Sequence, residues 1–168
     1  FACGAHAGEA ENQKILQDAK AASIGGPADV PLAAQGHLQL PEGYSYVPQP
    51  HAGRLLQAMG NPGTDSELQG LVFPHGEASW FATLRYISSG HIKDDDARDW
   101  KADELLQSIR EGTEAANEER QKMGVPALEV VGWAEKPAYE AATHRLVWAL
   151  SARHKGGAAD EPQGVNYN

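Results

Sequence analysis

The chain has 168 residues, enough to bury a sizeable core, and carries 23 acidic against 14 basic side chains for a formal charge of −9. No basic cluster occurs, so the surface repels phosphate backbones and argues against a nucleic-acid partner. No apolar run approaches the roughly 20 residues of a membrane span, and the single cysteine, Cys3, leaves no disulfide within the chain.

Residues 1–7, FACGAHA, lack an initiator Met and end in Ala5-His6-Ala7 before the polar run GEAENQK. Small residues in an Ala-x-Ala pattern ahead of a polar switch resemble the tail of a secretory signal peptide, so cleavage is expected after Ala7. Residues 8–37 read as a polar N-terminal segment and linker: Ile15, Leu16 and Ala19 give weak helical spacing, and SIGGPADVP breaks regular structure. A single domain is expected over residues 38–168, truncated at its C-terminus. Leu32 to Leu40 alternates loosely as a strand into the turn Pro41-Glu42-Gly43, and Tyr44, Tyr46 and Val47 follow at strand spacing. A short helix is expected over His51 to Met59, then a strand over Leu68 to Phe73. Ser79 to Ser88 alternates most clearly, with Trp80, Ala82, Leu84 and Tyr86 on one side.

One long helix is predicted from about Asp96 to Met123, with Asp94, Asp95, Asp96, Asp99 and Asp103 at its positive end. At about 100° per residue, Leu105, Ile109, Gly112, Ala116 and Met123 form one stripe, expected to pack on a sheet holding Trp80, Leu84, Val130, Leu146 and Trp148. Arg120 and Lys122, then Gly124 and Pro126, mark the stop. Strands follow over Leu128 to Glu135 and Thr143 to Arg153, and GVNYN enters a further strand whose partner should lie beyond Asn168. Strands on either side of one helix give an α+β fold, a mainly antiparallel sheet with the long helix on one face and short peripheral helices. A parallel pair at its centre is left open.

The segments LPEGY at Leu40–Tyr44, GNP at Gly60–Pro62 and DDDA at Asp94–Ala97 carry a resemblance, as do EGTEAANEER at Glu111–Arg120, VGWAEKPAYEAATHRLVWA at Val131–Ala149 and VNYN at Val165–Asn168. From about Leu40 onward the chain resembles a bacterial family of uncharacterised membrane-anchored proteins, a domain of unknown function. The resemblance implies an export signal, an extracytoplasmic (periplasmic) α+β domain and hydrophobic C-terminal anchor helices, and it carries over no catalytic residue. His91 stands where the family pattern has an aromatic residue.

Chemistry is sparsely written. Asp94-Asp95-Asp96 lacks the alternate ligand spacing of a calcium loop and reads as helix N-terminal acids. The 7 histidines form no zinc pattern, and no cofactor is expected. Glu114 and Glu118, one turn apart, lie on the solvent side, where nothing raises a carboxyl pKa. No nucleophile motif or phosphate loop is present in the sequence. Thr113, Asn117 and Arg120 recur at i, i+4 and i+7 along the border of the apolar stripe, where they either satisfy backbone groups at a helix–sheet seam or bind a ligand. The leading expectation is a non-enzymatic envelope module for interaction, sensing or scaffolding, with a protein partner in the envelope. The alternative is an envelope hydrolase or binder of a small polar ligand, its site formed by Thr113, Asn117, Arg120, Trp133 and His144.

Overall fold

The computed structural model describes residues 4–32, 36–61, 64–90, 93–94, 100–157 and 164–168. It is α+β throughout, with antiparallel pairing in every ladder. The chain divides into two compact units, residues 1–88 and 89–168.

The first unit is a central sheet covered on both faces. Its strands β1 (Ile24–Gly25), β4 (Tyr44–Pro48), β5 (Leu68–Pro74) and β6 (Ala82–Arg85) lie in the order β1-β4-β5-β6. Because side chains alternate across a strand, Val47 and Leu71 face one side and Tyr46 and Val72 the other. Two helices, α1 (Gly4–Ala22) and α2 (His51–Ala58), close the first side through Ile15, Ala19, Ala52 and Leu55. A hairpin, β2 (Ala28–Leu32) with β3 (Gly36–Leu40), closes the second through Val30 and Leu40. Leu71, 0% exposed, sits at the centre, where truncation to Ala costs about 2–5 kcal/mol.

Gly70 allows the second layer to close. A Cβ there would lie 2.3 Å from the Tyr46 ring, which folds across the strand and donates from Oη to the Gln69 carbonyl at 2.7 Å. The ladder shifts register between Leu68 and Gly70, and this contact sits on that irregularity.

Residues 8–37, expected as a peripheral helix or tether followed by a linker, supply most of α1, then β1, β2 and the start of β3. Pro31 is accommodated because β2 belongs to a two-stranded sheet, paired only with β3. The long strand expected over Ser79 to Ser88 shortens to β6; Trp80 lies outside it and packs against Tyr44, ring centroids 5.9 Å apart.

In the second unit, α3 (Ala102–Lys122) packs on β7 (Leu128–Glu140), which pairs with β8 (Arg145–His154) and through it with β9 (Gly164–Tyr167). The helix starts later than Asp96; residues 95–99 and His91 lie outside the described residues. It stops as predicted. Gly124 takes φ 70° after Met123, its N–H bonds the Gln121 carbonyl at 3.0 Å, and the Val125 N–H bonds that of Arg120 at 2.9 Å. This is a Schellman stop.

The structure departs from expectation in the face of α3, in the sheet it packs on and in the last strand. The inward face of α3 is Ala102, Leu105, Leu106, Ile109, Thr113, Asn117 and Arg120, whereas Gly112 and Ala116 are exposed and Met123 is 46% exposed. The face is turned by roughly 55° from the predicted stripe, because its C-terminal half is polar and escapes a count of apolar residues. Nor is there one sheet: Trp80 and Leu84 belong to the first unit, and Val130, Leu146 and Trp148 to the three-stranded sheet. The strand entered by GVNYN has its partner in β8, from Ala152↔Gly164 to Ala149↔Tyr167.

Candidate functional site

The polar side chains predicted at the helix–sheet seam are joined to backbone. β7 is an edge strand, so alternate N–H and C=O groups along its outer side need partners. The buried Asn117 amide meets both groups of Leu128, donating to its carbonyl at 2.8 Å and accepting from its N–H at 2.8 Å. Arg120 Nε donates to the Pro126 carbonyl at 2.9 Å, and Arg110 Nη2 to that of Val131 at 3.0 Å. Thr113 Oγ1 bonds back to the Ile109 carbonyl at 2.8 Å. One face of α3 thus works as a side-chain strand, covering the chain edge from Pro126, just before β7, to Val131 within it.

Beside this contact lies a shallow groove of about 260 Å³ between Arg110, Thr113 and Glu114 of α3 and Glu129, Val130 and Val131 of β7. Both of its carboxylates are paired, Glu114 with Lys155 Nζ at 2.7 Å and Glu129 with Arg153 Nε at 3.0 Å. The Lys155 hydrogen bond holds the Glu114 carboxyl below its ordinary range. Trp133 sits half-buried on β7, and its indole N–H is buried with no hydrogen-bond acceptor among the described residues.

His144 belongs to a different cluster. It occupies the turn between β7 and β8 at φ 52°, and Asp94 Oδ2 accepts from its Nδ1 at 2.6 Å and from the Tyr139 hydroxyl. The Tyr139 hydrogen bond first, and that of His144 second, lower the Asp94 carboxyl to a pKa of about 2. Against an ionised carboxylate Nδ1 must carry the proton, which leaves Nε2 of a neutral ring as the acceptor. An imidazole oriented in this way can relay a proton or hold a cation. Here the side chain is 74% exposed, so water reaches it.

The structure therefore brings Thr113, Asn117 and Arg120 together on one face, places Trp133 on the strand opposite, and groups His144 with Asp94 and Tyr139. Arg110 was not singled out from sequence because it lies outside the apolar stripe. Tyr139 was legible in principle: it and His144 flank a tight hairpin turn, which returns the chain on itself. Asp94 was hidden in its acidic run.

In the first unit, large apolar side chains flank β6 and stay exposed. Trp80 is 49% exposed, Phe81 37%, Tyr86 41% and Ile87 59%. Phe81 stacks on Phe73 of β5, ring centroids 5.6 Å apart, on the sheet face that α1 and α2 cover, whereas Trp80 meets Tyr44 on the face that the hairpin covers. A groove of about 450 Å³ runs beside β6, lined by Leu32, Gly36, Gln69, Thr83, Leu84, Arg85 and Tyr86.

Comparison with known proteins gives no match among curated proteins and none among solved structures. Residues 24–168 match the family described as protein of unknown function (DUF2167). That span takes in every strand from β1 to β9, both α2 and α3, and both grooves, and on it the chain belongs to the DUF2167 family.

Proposed function

We propose that this chain is the extracytoplasmic part of a membrane-anchored bacterial envelope protein and serves as an interaction module that binds a protein partner. The carrying observation is the set of exposed aromatic side chains that flank β6. Trp80, Phe81, Tyr86 and Ile87 expose large apolar area while ring contacts fix two of them in place, and rigid aromatic anchors dominate protein interfaces. The bonding of Asn117 and Arg120 to the β7 backbone supports the same reading, because it gives the seam polar groups a task in the fold. Export and the anchor rest on the sequence of residues 1–7 and on the resemblance. The test is protease access to the full-length protein in spheroplasts, with chemical cross-linking in the same cells. Digestion from outside the inner membrane and a discrete adduct are expected; protection from protease, or no adduct, contradicts the reading.

A second reading, a hydrolase or binder of small polar ligands, is favoured by one feature, the Asp94-oriented imidazole of His144. It predicts turnover of simple esters that is lost in His144→Ala. Wild-type protein that leaves such esters at the background rate removes it.

A further inference from the structure

We infer that the open edge of β6 takes up an extended segment of a partner protein as a fifth strand of the first unit's sheet. This inference rests on the interaction reading and specifies how the partner is held. Just before β4 and just after β5, the Gly43 carbonyl accepts from the His75 N–H at 2.7 Å, which fixes Phe73 and Leu71 of β5 as the residues bonded to β4 and turns Gly70 and Val72 toward β6. Their partners Leu84 and Ala82 therefore bond inward. Thr83 and Arg85 are left with N–H and C=O groups directed away from the sheet, and among the described residues no strand pairs with them.

The edge is short, with 4 residues, and its ladder is irregular between Leu68 and Gly70, but proline and free charge do not block it. β6 (ATLR) contains no proline, and its one charge, Arg85, is bound to Asp65 by Nη2 at 2.5 Å and Nε at 2.6 Å. The groove beside it has apolar walls from Leu32 of the hairpin and Leu84 of β6, with Gly36 opening one end. An added strand would bond to Thr83 and Arg85 through its backbone and set alternate side chains into that groove. Main-chain bonds would supply affinity and the groove selectivity.

The occupant is a single extended segment, apolar at alternate positions and neutral or basic between them. The groove beside the edge is lined by Leu32 and Gly36 of the β2–β3 hairpin, and the outward N–H and C=O groups of Thr83 and Arg85 match the backbone of one added strand. A second copy of this chain would also bring its own charge of −9 against the first.

The probe is a library of phage-displayed random dodecapeptides selected on the full chain. Enriched sequences are expected to alternate apolar with neutral or basic residues. The synthetic form of one should slow amide exchange at Thr83 and Arg85. Thr83→Pro removes an outward N–H without touching the β5 ladder, so it should keep the thermal melt and weaken the peptide by about tenfold or more. Thr83→Asp, which puts charge into the groove at an exposed position, should do the same, and it decides the matter if Thr83→Pro fails to fold. No enrichment, binding equal to wild type in the folded variants, or protection confined to other amides overturns the inference. Should that happen while cells still yield adducts at Trp80 or Tyr86, strand addition falls and the interaction reading stands.

Discussion

Replacing Asn117 separates a structural role from a ligand-binding one. The side chain is 3% exposed and bonds both backbone groups of Leu128 at 2.8 Å. Asn117→Ala leaves a donor and an acceptor unpaired. Each costs about 1 kcal/mol if water reaches it and up to about 3 if it does not, so the sum is about 2–6 kcal/mol. Asn117→Asp is sharper, because it keeps the acceptor for the Leu128 N–H and turns the donor into a carboxylate oxygen facing a carbonyl. Burial and that repulsion raise the folded pKa of the new acid above the unfolded value near 3.9. A raised pKa means that the protonated form, which can donate to the Leu128 carbonyl, is the one folding favours. The variant's deficit relative to wild type should therefore be smallest below about pH 4 and grow as pH rises through the folded pKa. Native-state hydrogen exchange at α3 and β7 amides reads this directly, with the Leu128 amide losing protection first. A loss below about 0.5 kcal/mol in Asn117→Ala, or a deficit in Asn117→Asp independent of pH, refutes the structural role.

Other substitutions probe the same framework. Gly70→Ala drives a Cβ into the Tyr46 ring and endangers its bond to the Gln69 carbonyl, which should lower stability by about 2–4 kcal/mol in chemical denaturation. Ala116 is exposed, so Ala116→Leu should stay within about 0.5 kcal/mol of wild type, and a larger loss would restore the apolar stripe read from sequence. Tyr139→Phe removes the largest cause of the low Asp94 pKa, so the carboxyl, followed by NMR, should titrate clearly above its value of about 2. Because that pKa is depressed, the stability it contributes is present above the unfolded carboxylate range and lost as pH falls toward about 2. Tyr139→Phe should flatten that acid limb, and an unchanged limb would show the cluster to be absent in solution.

The sequence was most legible where local rules act alone. Gly124 after two basic residues stops α3 because only a left-handed residue lets the last carbonyls close, and no distant contact can alter that need. β4, β5 and α2 were likewise found from alternation and spacing. The face of α3 was misread because its partner is an unpaired strand edge, which asks for amides and guanidinium groups where a sheet face asks for leucine. Asn117 and Arg120 sat at helical spacing all along, but apolar periodicity gives them no weight. The N-terminal segment failed for a related reason. Ala19, 3% exposed, fills the α1 contact with a side chain too small to register as a core signal, and Pro27 and Pro31 disguise strands whose pairing is set by residues farther along. The Asp94–Tyr139–His144 cluster spans 50 positions, and only the hairpin's geometry reveals it.

The most direct test places a photo-activatable cross-linking residue at Trp80, Tyr86 or Glu118 of the full-length protein in living cells. Trp80 and Tyr86 flank the β6 edge, whereas Glu118 lies on the exposed side of α3. The account predicts a discrete adduct with one envelope protein from the first two positions and none from Glu118. Adducts from Glu118 alone, or none from any position, would contradict it.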